Sequence, residues 1–236
     1  MSDDMLARSF APTRLLDRVP GDGRSIGIAG AVLLADLADF TGLTEALAAK
    51  AGRDGVELVG RDLNQVLGPV IDAVVNRGGE VVKFSGDGLL CVFAGYEQAI
   101  EAARLAARDI AAVAVQGPSG QIHQFRVAIV HGSVALASIG GHRGRRELVA
   151  GGEAVEQAQQ RVTQARPGDL GPELRLPAMP PDRQPTPVPI DDPQCYLPDY
   201  VRERLGLHLS QWLQELRSLT VVFASLKVSH VHIVAA

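Results

Sequence analysis

Two cysteines, Cys91 and Cys195, are too few for a disulfide framework or a cysteine-rich zinc site. They suit a reducing compartment, and Cys91, set inside an apolar run, reads as a core residue. No hydrophobic run is long. The stretch from Ile26 to Ala35 stops at Asp36 after ten residues, about half the roughly 20 that a membrane helix needs. Positive charge is not in excess either. Lys+Arg of 23 against Asp+Glu of 27 leaves a net charge of -4, with no electrostatic footprint for nucleic acid. The opening MSDDMLARSF carries acids where a signal peptide carries basic residues. The expectation is a cytoplasmic protein with no membrane span and no nucleic-acid partner. What is present, 46% hydrophobic and 21% charged residues, is ordinary globular composition.

Along the 236 residues the order of patterns is informative. Residues 1–25, broken by Pro12, Pro20, Gly21 and Gly23, read as a flexible arm. Gly30 to Phe40 is a continuous apolar run with carboxylates at one end, the pattern of a buried strand. Val59, Leu63, Val66, Leu67, Val70, Ile71 and Val74 fall at helical spacing over about 55–76, with Pro69 predicting a kink or broken turn and Gly78-Gly79 closing the helix. Two short apolar runs flank Ser85-Gly86-Asp87-Gly88, a hairpin signal. A helix is expected over 98–115, one or two strands over 124–139, a short strand over 147–150 and a helix over 153–164. The order β-α-β-β-α-β predicts an α+β fold with a ferredoxin-like βαββαβ core and helices on one face of the sheet.

Most of the 14 prolines fall between Pro167 and Pro198, so residues 167–199 read as a proline-rich linker following a domain over 26–166. Residues 200–236 recover helical spacing and then a strand pattern. Ala31 to Leu37 and Thr220 to Leu226 share apolar pattern and spacing, with Ser225 where Asp36 stands. This echo suggests the opening helix and strand of a second, truncated copy.

Two carboxylates invite chemistry. Asp36 ends an apolar strand and Asp87 sits in a hairpin turn, and a β-α-β connection can bring them to one sheet edge. Carboxylates leaving apolar strands are costly to bury unpaired, and a divalent cation with hard oxygen ligands offsets that cost. On the residues alone the alternative stands beside it: Asp36 caps the following helix near Thr41 and Asp87 satisfies a turn. Asp39 reads as a cap or surface acid. Lys83, four residues before Asp87, shares its strand face and reads equally as a salt-bridge partner or as a donor to a substrate.

Taken together, ADLADFTGLTE (Ala35 to Glu45), VVKFSGDGLLCVF (Val81 to Phe93) and RRELVAGGEAVEQAQQR (Arg145 to Arg161) resemble the catalytic domain of class III nucleotidyl cyclases. Most closely they resemble the first catalytic domain of soluble, bicarbonate-responsive adenylyl cyclases. The resemblance implies that ATP is converted to cyclic AMP and pyrophosphate by two divalent cations, Mg²⁺ or Mn²⁺, at an interface between two domain copies. By position it makes Asp36 and Asp87 the metal-binding aspartates, with the Leu37 carbonyl as a further ligand. Phe40, Thr41 and Gly42 become the start of the triphosphate-holding segment, and Lys83 the residue facing adenine.

The resemblance also has departures. Glu156 and Gln160 stand where the family carries a transition-state asparagine and arginine. A carboxylate cannot donate and an amide carries no charge for the phosphoryl oxygens. Gln159 stands near an arginine that binds bicarbonate in tandem members. The expectation is therefore the metal-binding half of an adenylyl cyclase, needing a second cyclase domain: a homodimer partner, a separate chain or a missing second half. The alternative is a non-catalytic, regulatory cyclase-like domain that binds nucleotide or a partner half.

Overall fold

The structure, a computed structural model, describes residues 11–85, 87–116, 120, 122–141, 144–178, 192–197, 199 and 202. It falls into two compact units. The larger comprises Ile26–Leu136 and Val149–Pro187; the smaller comprises Met1–Ser25, Ala137–Leu148 and Val188–Ala236.

The fold is the expected α+β arrangement. Its strands are β1 (Ser25–Leu37), β2 (Glu80–Ser85), β3 (Gly88–Ala94), β4 (Ala114–Gln116), β5 (Ile122–Gly140), β6 (Arg146–Gly151) and β7 (Leu174–Arg175). Its helices are α1 (Phe40–Val75), α2 (Glu97–Ala111) and α3 (Glu153–Val162). The sheet runs β2-β3-β1-β5-β4, with β6 and β7 also paired to β5. This is the ferredoxin-like order, in which the β2-β3 hairpin lies on one side of β1 and the strand after α2 on the other.

One face of the sheet packs against the helices. Leu33, Ala35 and Leu37 of β1, Leu89, Cys91 and Phe93 of β3, and Phe125, Val127 and Ile129 of β5 bury themselves against Val66, Val70 and Val74 of α1 and Ala103, Ala107 and Ile110 of α2. Alternation puts Leu34, Asp36, Leu90 and Arg126 on the opposite face. Gly30 is needed where β1 crosses β3, because a Cβ there would meet the Phe93 carbonyl oxygen at 2.4 Å.

Several expectations are corrected in detail. The helix expected over about 55–76 begins at Phe40, because its first half is alanine-rich and lacks the apolar period that marks the second. It continues through Pro69, so no broken turn occurs there. Gly78, at φ 80°, ends it as expected. Of the one or two strands expected over 124–139, the structure has one, β5. Leu174–Arg175, inside the proline-rich segment, adds a short parallel strand beside Val130 and His131.

In the smaller unit, Thr13–Leu16 forms a single helical turn, and Leu15, Leu16 and Val19 are buried. The Ser138 hydroxyl meets the Tyr196 hydroxyl at 2.7 Å, and Asp192 caps the turn Pro193–Tyr196 through the Gln194 amide at 2.9 Å. The helix and strand expected over 200–236, with Ser225, lie outside the described residues except for Arg202. No helix among the described residues is long and apolar enough to cross a membrane.

Candidate active site

The hairpin register decides the site. Asp36 pairs directly with Gly88, the residue after Asp87, so two carboxylates fifty-one positions apart meet at one end of the sheet. Burial holds the carboxyl of Asp36 above the ordinary carboxylate range, and repulsion from Asp87 adds to it. Burial likewise raises Asp87. Neither aspartate caps α1. The N-cap position belongs to Asp39, whose side chain makes no capping hydrogen bond and whose backbone sits at φ 56°, a left-handed conformation few non-glycine residues adopt.

A third member was not singled out from the sequence. Arg126, on β5, places Nη1 3.6 Å from Asp36 Oδ2 and Nη2 3.9 Å from the exposed Asp39. Its charge lowers the proton affinity of both Asp36 and Asp87, but burial outweighs it. These separations exceed hydrogen-bonding distance, so the guanidinium is a counter-charge and not a locked partner. The sequence signal was a lone arginine on the polar side of an otherwise apolar strand.

Lys83 reaches the same face through an irregularity. Val81 pairs with Cys91, but Lys83 pairs with Leu90, so the register slips by one residue at Val82. Without that slip Lys83 would face the helices. With it, Lys83 joins the row of Leu90 and Leu34, one row from Asp36 and two strands away, roughly 10 Å laterally. Its side chain is exposed.

Phe40, Thr41 and Gly42 are the first three residues of α1, where helix amides lack intrahelical acceptors. Phe40 also packs on the core, Gly42 is exposed, and a Cβ at Gly42 would meet nothing within 4 Å. Leu37, the last residue of β1, buries its side chain. Glu156 and Gln160 lie one turn apart on α3, both exposed, while Ala154, Val155, Ala158 and Val162 form its buried side.

Two carboxylates with raised proton affinity are a donor set that a hard divalent cation fits. No group of three histidine, cysteine or acidic side chains among the described residues is gathered for a metal. A cation at Asp36 and Asp87 would therefore complete its shell with backbone oxygen, water or substrate.

Solved structures match this architecture. A bacterial light-regulated adenylyl cyclase aligns with TM-score 0.52 at 18% identity, over 68% of this chain and 48% of its own. The guanylyl cyclase Cya2 aligns with TM-score 0.50 at 24% identity, over 63% and 75%. The guanylyl cyclase domain of the RhoGC fusion protein from the aquatic fungus Blastocladiella emersonii aligns with TM-score 0.50 at 16% identity, over 62% and 79%. The chain has the fold of a nucleotidyl cyclase catalytic domain. No protein-family model and no curated protein matches the sequence. The end of the sheet bearing Asp36 and Asp87 is the candidate active site on its own geometry. Both adenylyl and guanylyl cyclases share that fold, so architecture alone does not choose the base.

Proposed function

We propose that this chain is the metal-binding half of an adenylyl cyclase, converting ATP to 3',5'-cyclic AMP and pyrophosphate in company with a second cyclase domain. The observation that carries the reading is the meeting of Asp36 and Asp87 at one sheet end, both held above the ordinary carboxylate range. Two acids so placed oppose each other until a cation joins them.

In this reading Asp36, Asp87 and the Leu37 carbonyl hold Mg²⁺ or Mn²⁺. When bound, such cations supply Lewis acidity toward the ribose 3'-hydroxyl and charge neutralisation for the departing pyrophosphate. The remaining work is positioning. The amides opening α1 at Phe40, Thr41 and Gly42 face phosphate oxygens, and Arg126 adds a cation on the same face. Lys83 donates to the adenine ring, which is the basis for choosing ATP over GTP. The 3'-hydroxyl releases its proton to water, its oxygen bonds to the α-phosphorus, and the bond from that phosphorus to the bridging oxygen breaks to free pyrophosphate. Both groups lie in one molecule, so orientation removes much of the barrier.

Glu156 and Gln160 supply neither an amide donor in the asparagine position nor a cation for the phosphoryl oxygens. Their absence from the reaction is why the second domain is required, and why the isolated chain turns over slowly. The same two residues favour a second reading, a regulatory half that binds nucleotide without turnover. We place the protein in the cytoplasm, in keeping with its two unpaired cysteines.

The test is Mn²⁺-dependent binding of a non-hydrolysable ATP analogue, followed by turnover with an added cyclase domain that carries the asparagine and arginine. Binding should vanish in Asp36→Ala, and complementation should yield cyclic AMP. Metal-independent binding would overturn the metal-site reading. Binding without turnover on complementation would favour the regulatory one, and equal affinity for the GTP analogue would overturn the base assignment. Robust cyclic AMP production by the chain alone would overturn the reading of Glu156 and Gln160.

A further inference from the structure

After α3 the chain runs back along β5 as a strap, residues 168–176, within the larger unit. The Gly168 and Gly171 amides donate to the Phe125 and Val127 carbonyls, each at 2.9 Å, and the Leu176 amide donates to the His131 carbonyl at 2.7 Å. Leu174 and Arg175 pair in parallel with Val130 and His131. The approach is close at Gly132, where a Cβ would meet the Leu176 Cβ at 3.0 Å. The strap thus covers the edge of β5 that follows its pairing with β4.

Two side-chain ties hold the strap to the helices. Arg104 of α2 forks onto both Glu173 oxygens at 2.7 Å, and Arg161 of α3 donates to the Pro172 carbonyl at 2.9 Å. Apolar backing is slight. Leu170, Leu174 and Leu176 are half-buried, and Pro172, Glu173 and Arg175 are exposed. A segment held by a few polar bonds opens locally before the core does.

Under the strap lies His131. Its side chain is 3% exposed, and neither ring nitrogen is accessible to solvent. Nε2 stands 2.8 Å from Glu173 Oε1, and Nδ1 has no hydrogen-bond partner among the described residues. A proton added to Nδ1 would be a charged donor without an acceptor, in a place that water does not reach.

The charges around the ring oppose that proton too. Glu173 Oε1, which faces Nε2, already accepts from Arg104, and Arg175 of the strap stands 3.6 Å from the same oxygen. Arg104 also donates to Glu101, and Arg175 lies 3.7 Å from Glu97. From β1, Ala29 and Gly30 bring no charge to the cavity wall that His131 shares with them. Burial holds the proton affinity of the ring below the ordinary imidazole range; Glu173 works against this, and Arg104 and Arg175 work with it.

We infer that residues 168–176 form an acid-released latch on β5, which closes over neutral His131 and is held open when that ring takes a proton. Opening lets water reach the imidazole, and protonation then traps the open form. The closed strap is fully favoured above about pH 6.5, the ordinary imidazole value, and loses ground as pH falls toward the lower folded value. Glu173 does not share this window, because its ordinary value is 4.5 and its folded value about 2. The device does not depend on the proposed cyclase chemistry.

The experiment is native-state hydrogen exchange of the full chain between pH 5 and 8, read as protection factors at the Gly168, Gly171 and Leu176 amides. Protection should be level above about pH 7 and fall about tenfold for each pH unit below about 6.5. Low concentrations of urea should leave strap exchange unchanged while accelerating exchange at β1 and β3 amides, the mark of local opening. His131→Phe, which keeps a ring and cannot titrate, should abolish the pH step. A ¹³C titration of the His131 ring in the unmodified chain gives an independent reading, with ionisation expected below the ordinary value. Protection that is level across the range would overturn the latch. So would protection that rises in acid, the sign of a closing imidazolium–Glu173 pair. A step that survives in His131→Phe, strap exchange with the urea dependence of the core, or a His131 that ionises at or above 6.5 would each do the same.

Discussion

The larger unit contains two clusters of charge that use similar residues to opposite ends. At the β1-β3 end, Asp36 and Asp87 are pushed up in proton affinity by burial, and Arg126 stands 3.6 Å from Asp36 without bonding to it. Beside α2, Glu173 is pulled down to about 2, chiefly because Arg104 grips it in a two-bond fork. The second cluster is satisfied within the chain and ties residue 173 to α2, whereas the first has more negative charge than the chain compensates. A satisfied ion pair is architecture; an under-compensated pair of acids at a sheet end is where an outside cation gains most.

The largest expected effect breaks the first cluster. Asp87→Asn or Asp36→Asn removes one of two cation-binding charges, so Mn²⁺-dependent affinity for an ATP analogue should fall by about a hundredfold or more. The same substitutions relieve repulsion, so the metal-free fold should be no less stable in denaturant titration. A variant that unfolds while the metal affinity of the surviving fraction is unchanged would reverse the contrast between the clusters.

Next comes the acid limb of stability, where the clusters have opposite signs. Glu173 has a folded-state pKa below its ordinary value of 4.5, so its contribution is present above that value and lost as pH falls toward about 2. Asp36 and Asp87 are shifted upward, so their contribution is largest at low pH and is lost as pH rises through their folded values. Glu173→Gln should therefore cost on the order of 2 kcal/mol near neutrality and flatten the loss of stability below about pH 4.5. Asp36→Asn should remove destabilisation that is otherwise present near neutrality. Urea midpoints followed across pH check both signs.

The two clusters also differ in how far they could be read from the residues. The hairpin and the meeting of Asp36 with Asp87 were legible because apolar runs define both strands and the Gly-flanked Asp87 marks the turn. Arg126 was not, since its partners lie on β1 and beyond, and only strand pairing brings them together. Lys83 was expected on the face of Asp87 from its spacing, but the slip at Val82 that turns it away from the helices leaves no signal in spacing. His131 lies within continuous β5 and owes its partner Glu173 to a segment read as linker. In each case the missing information is a contact between residues distant in the chain.

Arg126→Gln sharpens the comparison at a smaller scale. Removing the cation that lowers both aspartates should raise their proton affinities further, visible in carboxyl ¹³C titrations. It should weaken analogue binding about tenfold if the guanidinium also meets phosphate. A shift toward lower proton affinity would mean that Arg126 does not face the pair.

The smallest effect concerns Asp39, the third acid at that end. Its backbone occupies φ 56°, where a Cβ is strained, and its carboxylate is 95% exposed and 3.9 Å from Arg126. An ion pair that exposed is worth little, so the backbone term decides the outcome. Asp39→Gly should stabilise the fold by about 0.5 kcal/mol, the relief of strain slightly exceeding the added freedom of the unfolded chain. Asp39→Ala keeps the Cβ and should not stabilise. Asp39 is not among the charges that shift Asp36, so the Asp36 titration should stay in place in Asp39→Gly. If that titration moves as far as it does in Arg126→Gln, the acidic cluster has three members and the charge to be compensated is larger than the pair alone.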